Sequence, residues 1–234
     1  MTNKTPSQNG LIDNQGWDAY WGEKKQKGSM LYDVIAEFYR KFIIRPSLNH
    51  FIKKYMKPGD QVLHAGCGSG QVDQDIRDYV NITGLDISVN ALKVFDFEAK
   101  GKAKSLHGSI FQIPLANDSV DGIHNLGVME HFTMEEIEKI LAEFRRVVKN
   151  SGKLVILWPP EFGLSVMFFK VLKVIITTLT GKKDVKFHPD EISRIQSKKQ
   201  AYEIFEKAGF NVLEYYFGPR DVFTYSVIVA QKKY

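Results

Sequence analysis

The stretch HAGCGSG, residues 64–70, lies between a short apolar run and a stretch with helical spacing, and it decides how the fold is interpreted. Its three glycines allow backbone dihedrals that a side chain would forbid, and they let a ligand approach the main chain closely. Sixteen residues after Gly70 stands Asp86, at the end of the next predicted strand. A carboxylate at that place can accept both hydroxyls of a ribose, so turn and acid together predict a site for a nucleoside-containing cofactor.

The spacing of the glycines distinguishes between two kinds of cofactor. A dinucleotide fingerprint that begins at Gly66 and Gly68 requires a third glycine at position 71, where this chain has Gln71. Here the third glycine comes one residue earlier, at Gly70. The pattern therefore argues against a dinucleotide. A helix is expected to follow the turn and to present free backbone amides to the ligand.

Short apolar runs bounded by turn residues predict the strands of a sheet. They lie at residues 61–65, 81–85, 120–125 and 153–158, with a weaker run at 104–107. Stretches with helical spacing separate them, most clearly at residues 134–149, where residues 150–152 (NSG) are expected to end the helix. This alternation predicts an α/β fold with a parallel sheet that binds ligands beyond the carboxyl ends of its strands.

The two ends of the chain depart from this alternation. Residues 30–56 have apolar positions at helical spacing and predict two helices that meet at Pro46. Near the other end, residues 211–217 and 223–230 are strand-like runs joined by a short link. Such a short link predicts a hairpin, and therefore an antiparallel strand in an otherwise parallel sheet.

Length, cysteine content and charge limit the organisation and location of the protein. With 234 residues and 44% hydrophobic content, the chain can form one sizeable domain, predicted at residues 58–234. A flexible leader (residues 1–16) and a helical extension (residues 17–57) are expected to precede it. The single cysteine, Cys67, excludes an intramolecular disulfide and favours a cytoplasmic location. The net charge of +5 is spread along the chain, so no nucleic-acid partner is expected.

Residues 62–70 (VLHAGCGSG) resemble motif I of the class I methyltransferases that use S-adenosylmethionine (SAM), especially the ubiquinone-biosynthesis-like, type 11 branch. Four later segments resemble further motifs of that family in the same order: GLDIS at 84–88, GSIFQIPL at 108–115, VMEH at 128–131 and SGKLVI at 151–156. The resemblance implies a Rossmann-like fold: a mostly parallel seven-stranded sheet with a C-terminal antiparallel hairpin and helices on both faces. It also implies SAM as cofactor and S-adenosylhomocysteine (SAH) as product.

The resemblance places the cofactor against four segments. It implies His64, Ala65, Gly66, Cys67, Gly68 and Gly70 in the turn, Asp86 and Ile87 at the next strand end, Ser109 and Ile110 in the following loop, and Asn125 in the fourth strand. His64 and Ser109 depart from the family's pattern, because an acid is usual at each place. These departures leave two alternatives open: weaker SAM binding, and a non-catalytic protein that uses this fold to bind a partner.

Methyl transfer requires alignment and exclusion of water, and it requires a general base only when the acceptor is a hydroxyl or a similar acid. His131, just after the fourth strand, is the candidate base, and Glu130 is a candidate to orient it or to face the cofactor. Alternatively, His131 packs against the helix that begins near Thr133. Cys67 is expected to be a small buried side chain and not a nucleophile. The scattered histidines form no recognisable metal motif, so no metal is expected.

Two regions outside the common core are candidates for binding the methyl acceptor. Trp17, Tyr20 and Trp21 form an aromatic cluster that either covers the cofactor pocket or packs against the sheet. The insertion at residues 159–196 is interpreted as a helical lid, and it contains His188. Its apolar part, residues 162–183, is too short and interrupted for a membrane span, but it suits a peripheral membrane contact, a lid or a homodimer contact.

The leading hypothesis is therefore transfer of a methyl group from SAM to a small-molecule acceptor, lipid-linked or glycan-type. The nearest enzymatic alternative is a nucleic-acid methyltransferase. Enzymes of that kind that act on base amines usually carry an Asn/Asp-Pro-Pro-aromatic loop after the fourth strand, where this chain has NLGV at residues 125–128. This loop argues against methylation of base amines.

Overall fold

The computed structural model describes residues 14–27, 37–164, 166, 178 and 191–233. The helices are α1 (Asn14–Lys27), α2 (Arg45–Tyr55), α3 (Val89–Ala99), α4 (Met134–Val147) and α5 (Lys198–Lys207). The strands are β1 (Gln61–Ala65), β2 (Asn81–Asp86), β3 (Ala103–His107), β4 (Val120–Leu126), β5 (Val148–Trp158), β6 (Phe210–Tyr216) and β7 (Ser226–Lys232). Short 3-10 turns lie at Gln71–Asp73, Met129–His131 and Pro219–Asp221.

The strands form one seven-stranded sheet in the order β3-β2-β1-β4-β5-β7-β6. The first five strands in this order are parallel to one another, and β7 is antiparallel to both β5 and β6. This arrangement confirms the predicted α/β fold with its C-terminal antiparallel hairpin. The carboxyl ends of β1, β2 and β4 lie side by side, and the sequence motifs follow these ends directly.

Hydrophobic side chains cover both faces of the sheet, as expected. Leu63 belongs to a core cluster that contains Phe144 of α4 and Phe205 of α5. The preceding residue, Val62, belongs to a second cluster with residues of α2 and α3, among them Phe95. Because neighbouring residues of a strand point to opposite faces, the two clusters lie on opposite sides of the sheet.

Helix α4 begins as the sequence suggests and ends earlier than predicted. Thr133 Oγ1 accepts a hydrogen bond from Glu136 N (3.3 Å), and Glu136 Oε2 accepts one from Thr133 N (2.8 Å), which is a capping box. The helix ends at Val147, and the expectation that residues 150–152 end it is wrong. Val148 is already extended, fully buried and paired with Val120, because core packing at the sheet overrides the helical pattern.

The helix break predicted at Pro46 is absent; the helix instead widens into a π-helical turn just before the proline. Residues 40–44 form a π-helical turn in which Arg45 N donates to Arg40 O, and α2 continues directly from it. Proline has no N–H and its ring collides with the preceding turn, so it is accommodated in the first turn of an α-helix. The backbone therefore stays helical from the π-helical turn into α2, and the two predicted helices are joined directly at the proline.

The α-helix expected after the glycine turn is also absent from the described residues. Asp73 N donates to Gly70 O (3.0 Å), three residues back, and residues 74–79 continue as turns. The same carbonyl accepts a hydrogen bond from Nη2 of the buried Arg77 (2.7 Å). A side chain thus satisfies a carbonyl that a continuing α-helix would use.

The ends of the chain give two smaller corrections. Helix α1 begins at Asn14, so the last three residues of the predicted leader are helical. Strand β7 begins at Ser226 and not at Phe223, because Val222 and Phe223 have φ values of +54°.

His188 and most of residues 162–183 lie outside the described residues. Within the described part of the chain, no helix combines the length and apolar character needed to cross a bilayer.

Candidate functional site

The glycine turn connects β1 to the ends of its neighbours through main-chain hydrogen bonds. Gly66 N and Cys67 N both donate to Leu85 O, at 2.8 and 2.9 Å. Gly66 has a φ of +72°, and a Cβ there would lie 2.6 Å from Cγ2 of Val128. A side chain at Gly70 would similarly meet the Phe95 ring at 2.4 Å. These two glycines are therefore required by the packing of the protein itself.

Gly68 and Asp86, which the sequence analysis assigns to the same cofactor, are joined by a hydrogen bond. Gly68 N donates to Asp86 Oδ2 (2.8 Å), and Ser88 N donates to Asp86 Oδ1 (2.9 Å). The carboxylate is 8% exposed, and burial raises its pKa above the ordinary value. Gly68 has a φ of +51°, and a Cβ there would lie 2.7 Å from Cζ2 of Trp21. The amides of Gly66, Cys67 and Gly68 are thus bonded within the protein, and Trp21 of α1 occupies the place where a side chain at residue 68 would lie.

Asn125 links the end of β4 to the end of β1. Its Nδ2 donates to Ala65 O (2.6 Å), and the side chain is fully buried. Its Oδ1 is buried and has no hydrogen-bond partner among the described residues. A buried acceptor without a partner beside a glycine cradle fits a polar ligand at the strand ends.

In the loop after β3, the two residues predicted to contact the cofactor, Ser109 and Ile110, make contacts within the protein. Ser109 Oγ accepts a hydrogen bond from Phe111 N (3.2 Å), so its hydroxyl stabilises the loop. Ile110 is 8% exposed and belongs to the hydrophobic core. Ile87 O lies 3.1 Å from His107 Nε2, which ties the end of β2 to the end of β3. Ser109 and Ile110 therefore support the loop through protein contacts, and their contact with the cofactor remains a prediction.

Helix α1 lies across the carboxyl ends of the strands. Asp18 Oδ1 accepts hydrogen bonds from Ser88 Oγ (2.5 Å) and Asn90 N (3.2 Å), at the start of α3. The Ser88 hydrogen bond lowers the pKa of Asp18, which favours its ionised form. Trp17 packs edge-on against His131, with ring centroids 5.3 Å apart. Tyr20 makes edge contacts with both Trp17 and Trp21. The predicted aromatic residues and the predicted base are therefore brought together over the end of β4.

Glu130 lies deeper than His131. It is 5% exposed, and its Oε2 has no hydrogen-bond partner among the described residues. Burial is the main cause that raises its pKa to about 8; the nearby Glu191 acts in the same direction, and a backbone hydrogen bond and Arg194 oppose it. Its backbone carbonyl accepts hydrogen bonds from Ile192 N (2.6 Å) and Ser193 N (3.1 Å). Glu130 thus anchors the chain where it returns from the insertion.

Three polar side chains that the sequence analysis did not connect lie together beneath the glycine turn. His64, Asp73 and His124 are 2%, 0% and 0% exposed, and their potential ligand atoms lie within 4.8 Å of one another. Neither metal-type spacing nor helical periodicity signals this group, because its members come from β1, the turn after it and β4. Cys67 is buried, and burial raises the pKa of its thiol well above the ordinary value, which agrees with a packing role.

Comparison with known proteins finds one matching domain family. The profile described as "Methyltransferase domain" matches residues 63–156, which include the glycine turn, Asp86 and Asn125. An uncharacterized protein of Methanocaldococcus jannaschii is 33% identical over 115 residues, 49% of this chain and 48% of that protein. The demethylmenaquinone methyltransferase of Bacillus velezensis is 27% identical over 184 residues, 69% of this chain and 75% of that protein. The match thus spans about half of the first relative and three quarters of the second.

Solved structures show the same fold at low sequence identity. Magnesium protoporphyrin IX methyltransferase of Synechocystis PCC 6803, solved with bound SAH, has a TM-score of 0.64 and 16% identity to this chain. The alignment covers 94% of this chain and 95% of that one. The likeness therefore extends over nearly the whole length of both proteins.

Proposed function

We propose that this chain, which belongs to the class I SAM-dependent methyltransferases, transfers a methyl group from SAM to a small-molecule acceptor. The observation that carries the proposal is the glycine turn, whose Gly68 amide is bonded to Asp86 where the ends of β1 and β2 meet. When bound, SAM supplies a methyl group activated by its positively charged sulfonium. Asp86 would hold the ribose, and the unsatisfied Asn125 Oδ1 would accept a hydrogen bond near the end of β4.

Helix α1 would exclude water from the reacting groups. Trp21 lies against Gly68 and Trp17 lies against His131, so the two indoles cover both the cofactor turn and the end of β4. Asp18 holds the helix at this position through Ser88 and Asn90. Such a cover removes water and aligns the acceptor, which accounts for much of the acceleration of a methyl transfer.

His131 would take the proton when the acceptor is a hydroxyl. Its ring lies at the end of β4 beneath Trp17, and an imidazole titrates close to neutral pH. Glu130 suits this role less well, because a carboxyl with a pKa near 8 keeps its proton at neutral pH. Glu130 would instead position the Met129–His131 turn, since its carbonyl binds Ile192 and Ser193.

An apolar or lipid-linked acceptor is supported by the start of the insertion. Phe162 and Leu164 are 41% and 47% exposed, and Phe162 stacks edge-on with Phe217 at 5.0 Å. Phe217 in turn contacts Phe223, which is 38% exposed. Exposed aromatic surface of this kind suits contact with an apolar acceptor or with a membrane surface. Flotation with anionic vesicles tests the peripheral membrane version, and a protein that stays with the soluble fraction contradicts it.

A screen of methyl acceptors with isotope-labelled SAM tests the proposed function. We expect transfer to a small molecule, with turnover lost in Asp86→Ala and retained in Asp96→Ala, which changes an exposed aspartate on α3. With a hydroxyl acceptor, His131→Ala is expected to lower kcat by about 10²- to 10⁴-fold. The proposal fails if the protein binds SAM but transfers no label to any acceptor class.

A further inference from the structure

His64, Asp73 and His124 form a buried polar group that has no role in the proposed methyl transfer. His64 and His124 are register partners on the parallel strands β1 and β4, and their ring centroids lie 4.0 Å apart with an interplanar angle of 33°. Asp73 lies in the 3-10 turn that follows Gly70. One potential ligand atom from each of the three side chains lies within 4.8 Å of the others. The fold therefore brings two imidazoles and a carboxylate from three separate segments to one buried place.

Asp73 presents one carboxylate oxygen to each imidazole ring. Its Oδ2 lies 2.7 Å from His64 Nδ1, which is a hydrogen-bond distance. Its Oδ1 lies 3.3 Å from His124 Nε2, but these two atoms do not make a hydrogen bond. The carboxylate thus bridges β1 and β4, and only its contact with β1 is a hydrogen bond.

The contact between Asp73 and His124 leaves three polar atoms without a partner. Asp73 Oδ1 and both ring nitrogens of His124 are buried and have no hydrogen-bond partner among the described residues. Both side chains are fully buried, so bulk water does not reach these atoms. Nearly all buried polar atoms in folded proteins are paired, and an unpaired group points to a missing water molecule or ion. The unpaired atoms therefore call for a further partner.

The protonation of these groups favours a cation as that partner. Burial and the neighbouring His64 lower the pKa of His124 to about 3, against the opposing effect of Asp73, so His124 is neutral at pH 7. Burial raises the pKa of Asp73, but His64, His124 and Arg77 outweigh burial and bring it below its ordinary value, so Asp73 is ionised. A neutral imidazole has one nitrogen with a free lone pair, and an ionised carboxylate has acceptor oxygens only. These atoms are the ligands that zinc takes in proteins.

The distances within the group can be compared with those around a zinc ion. Zinc binds histidine nitrogens and aspartate oxygens at about 2.0–2.2 Å, which places the ligand atoms of a tetrahedral site about 3.3–3.6 Å apart. The distance of 3.3 Å between His124 Nε2 and Asp73 Oδ1 already agrees with this spacing. The distance of 2.7 Å between His64 Nδ1 and Asp73 Oδ2 corresponds to a shared proton. An ion bound to His64 would replace that proton, and the two atoms would move apart by about 0.6 Å.

We propose that His64, Asp73 and His124 bind a zinc ion that joins β1 and β4 to the turn after Gly70. Three protein ligands leave one position of a tetrahedral ion for a water molecule. Because His64 comes just before the glycine turn and Asp73 just after it, the ion would hold both ends of that turn in place. The proposal goes beyond the proposed function and does not depend on it, because such a cross-link stabilises the fold whether or not SAM is bound. It also replaces the expectation that no metal binds, which rested on ligand spacing along the chain.

The zinc content and the stability of the full chain test the proposal. Protein purified without chelators and dialysed against zinc chloride is expected to hold one zinc ion per chain in elemental mass spectrometry. Zinc at about 100 times its Kd is expected to raise the Tm by about 5–10 °C relative to the same protein in EDTA. His124→Phe keeps an aromatic ring in the core and removes both nitrogens, so we expect it to lose the ion and the rise in Tm. His107→Phe, at an exposed histidine that ends β3, is the matched control and is expected to keep both.

The contrary results are distinct from one another. A folded wild-type protein that binds no zinc overturns the proposal and indicates a water molecule as the partner of the unpaired atoms. Zinc that is bound equally well by His124→Phe also overturns it, because the ion then lies elsewhere. If His124→Phe does not fold, Asp73→Asn replaces it, with the same loss of zinc expected. Neither measurement uses SAM, so a failure of the proposed function, seen as no SAH binding, leaves the result for zinc unaffected.

Discussion

Replacing Glu130 with glutamine is expected to change how the stability of the protein depends on pH. The unfolded chain releases this proton near the ordinary pKa of 4.5, whereas the folded protein releases it near 8. Between these values deprotonation favours the unfolded state, so stability that is present below pH 4.5 is lost as the pH rises. One pKa unit corresponds to about 1.4 kcal/mol, so the loss between pH 4.5 and pH 7 amounts to roughly 3 kcal/mol.

Glu130→Gln removes this titration and keeps the shape of the side chain. We therefore expect the free energy of unfolding of the variant, minus that of the wild type, to increase by about 3 kcal/mol from pH 4.5 to pH 7. Urea unfolding at both pH values measures the difference, and all other titrating groups cancel. Glu135→Gln, an exposed position in the first turn of α4, is the control and is expected to change by less than about 0.5 kcal/mol. A pH-independent difference for Glu130→Gln would refute the assignment of a buried, protonated carboxyl.

Three further predictions concern packing around the site. Gly66→Ala is expected to destabilise the fold by about 1–3 kcal/mol, because the added Cβ collides with the Val128 side chain. Adding Val128→Ala to the same chain is expected to recover part of this stability. Urea unfolding that shows no recovery contradicts the predicted collision. Trp21→Ala is expected to raise the Kd for SAH about three- to tenfold, and an unchanged Kd in calorimetry contradicts the covering role of α1. The Cys67 thiol is expected to react with a thiol reagent only after unfolding, and rapid labelling of the native protein argues against its burial.

The approximate positions of the strands along the chain could be predicted because each strand contains a short apolar run between turn residues. The antiparallel pair at the C-terminus followed from a link too short for a crossover. Helix ends were less predictable, because long-range packing decides them. Val148 fits a helical pattern, but its burial against Val120 draws it into β5. The segment after Gly70 also has a helical pattern in the sequence. In the structure it forms a 3-10 turn followed by further turns, and Arg77 donates a hydrogen bond to the Gly70 carbonyl.

In the candidate site, too, local sequence patterns predicted some features, and contacts between distant parts of the chain decided the others. Gly68 and Asp86 could be assigned to one site from the sequence, because the carboxyl ends of neighbouring parallel strands meet at one edge of a sheet; the hydrogen bond between them was not predicted. The sequence left two alternatives open for the aromatic cluster of α1, covering the cofactor pocket or packing against the sheet, because a short aromatic helix carries no signal of where it docks; the contact of Trp21 with Gly68 was not predicted. The contact of Asp73 with His64 was not predicted, because the two residues meet only in the folded structure and an aspartate in a turn is ordinary.

Calorimetric titration with SAH tests the central claim most directly, because the claim is that the glycine turn and Asp86 form the SAM site. We expect wild-type protein to bind SAH with one site per chain, and we expect Asp86→Ala to lose this binding while Asp96→Ala retains it. Asp86 also holds Gly68, so thermal unfolding of both variants shows whether the fold persists. A folded Asp86→Ala protein that binds SAH as tightly as the wild type would contradict the account.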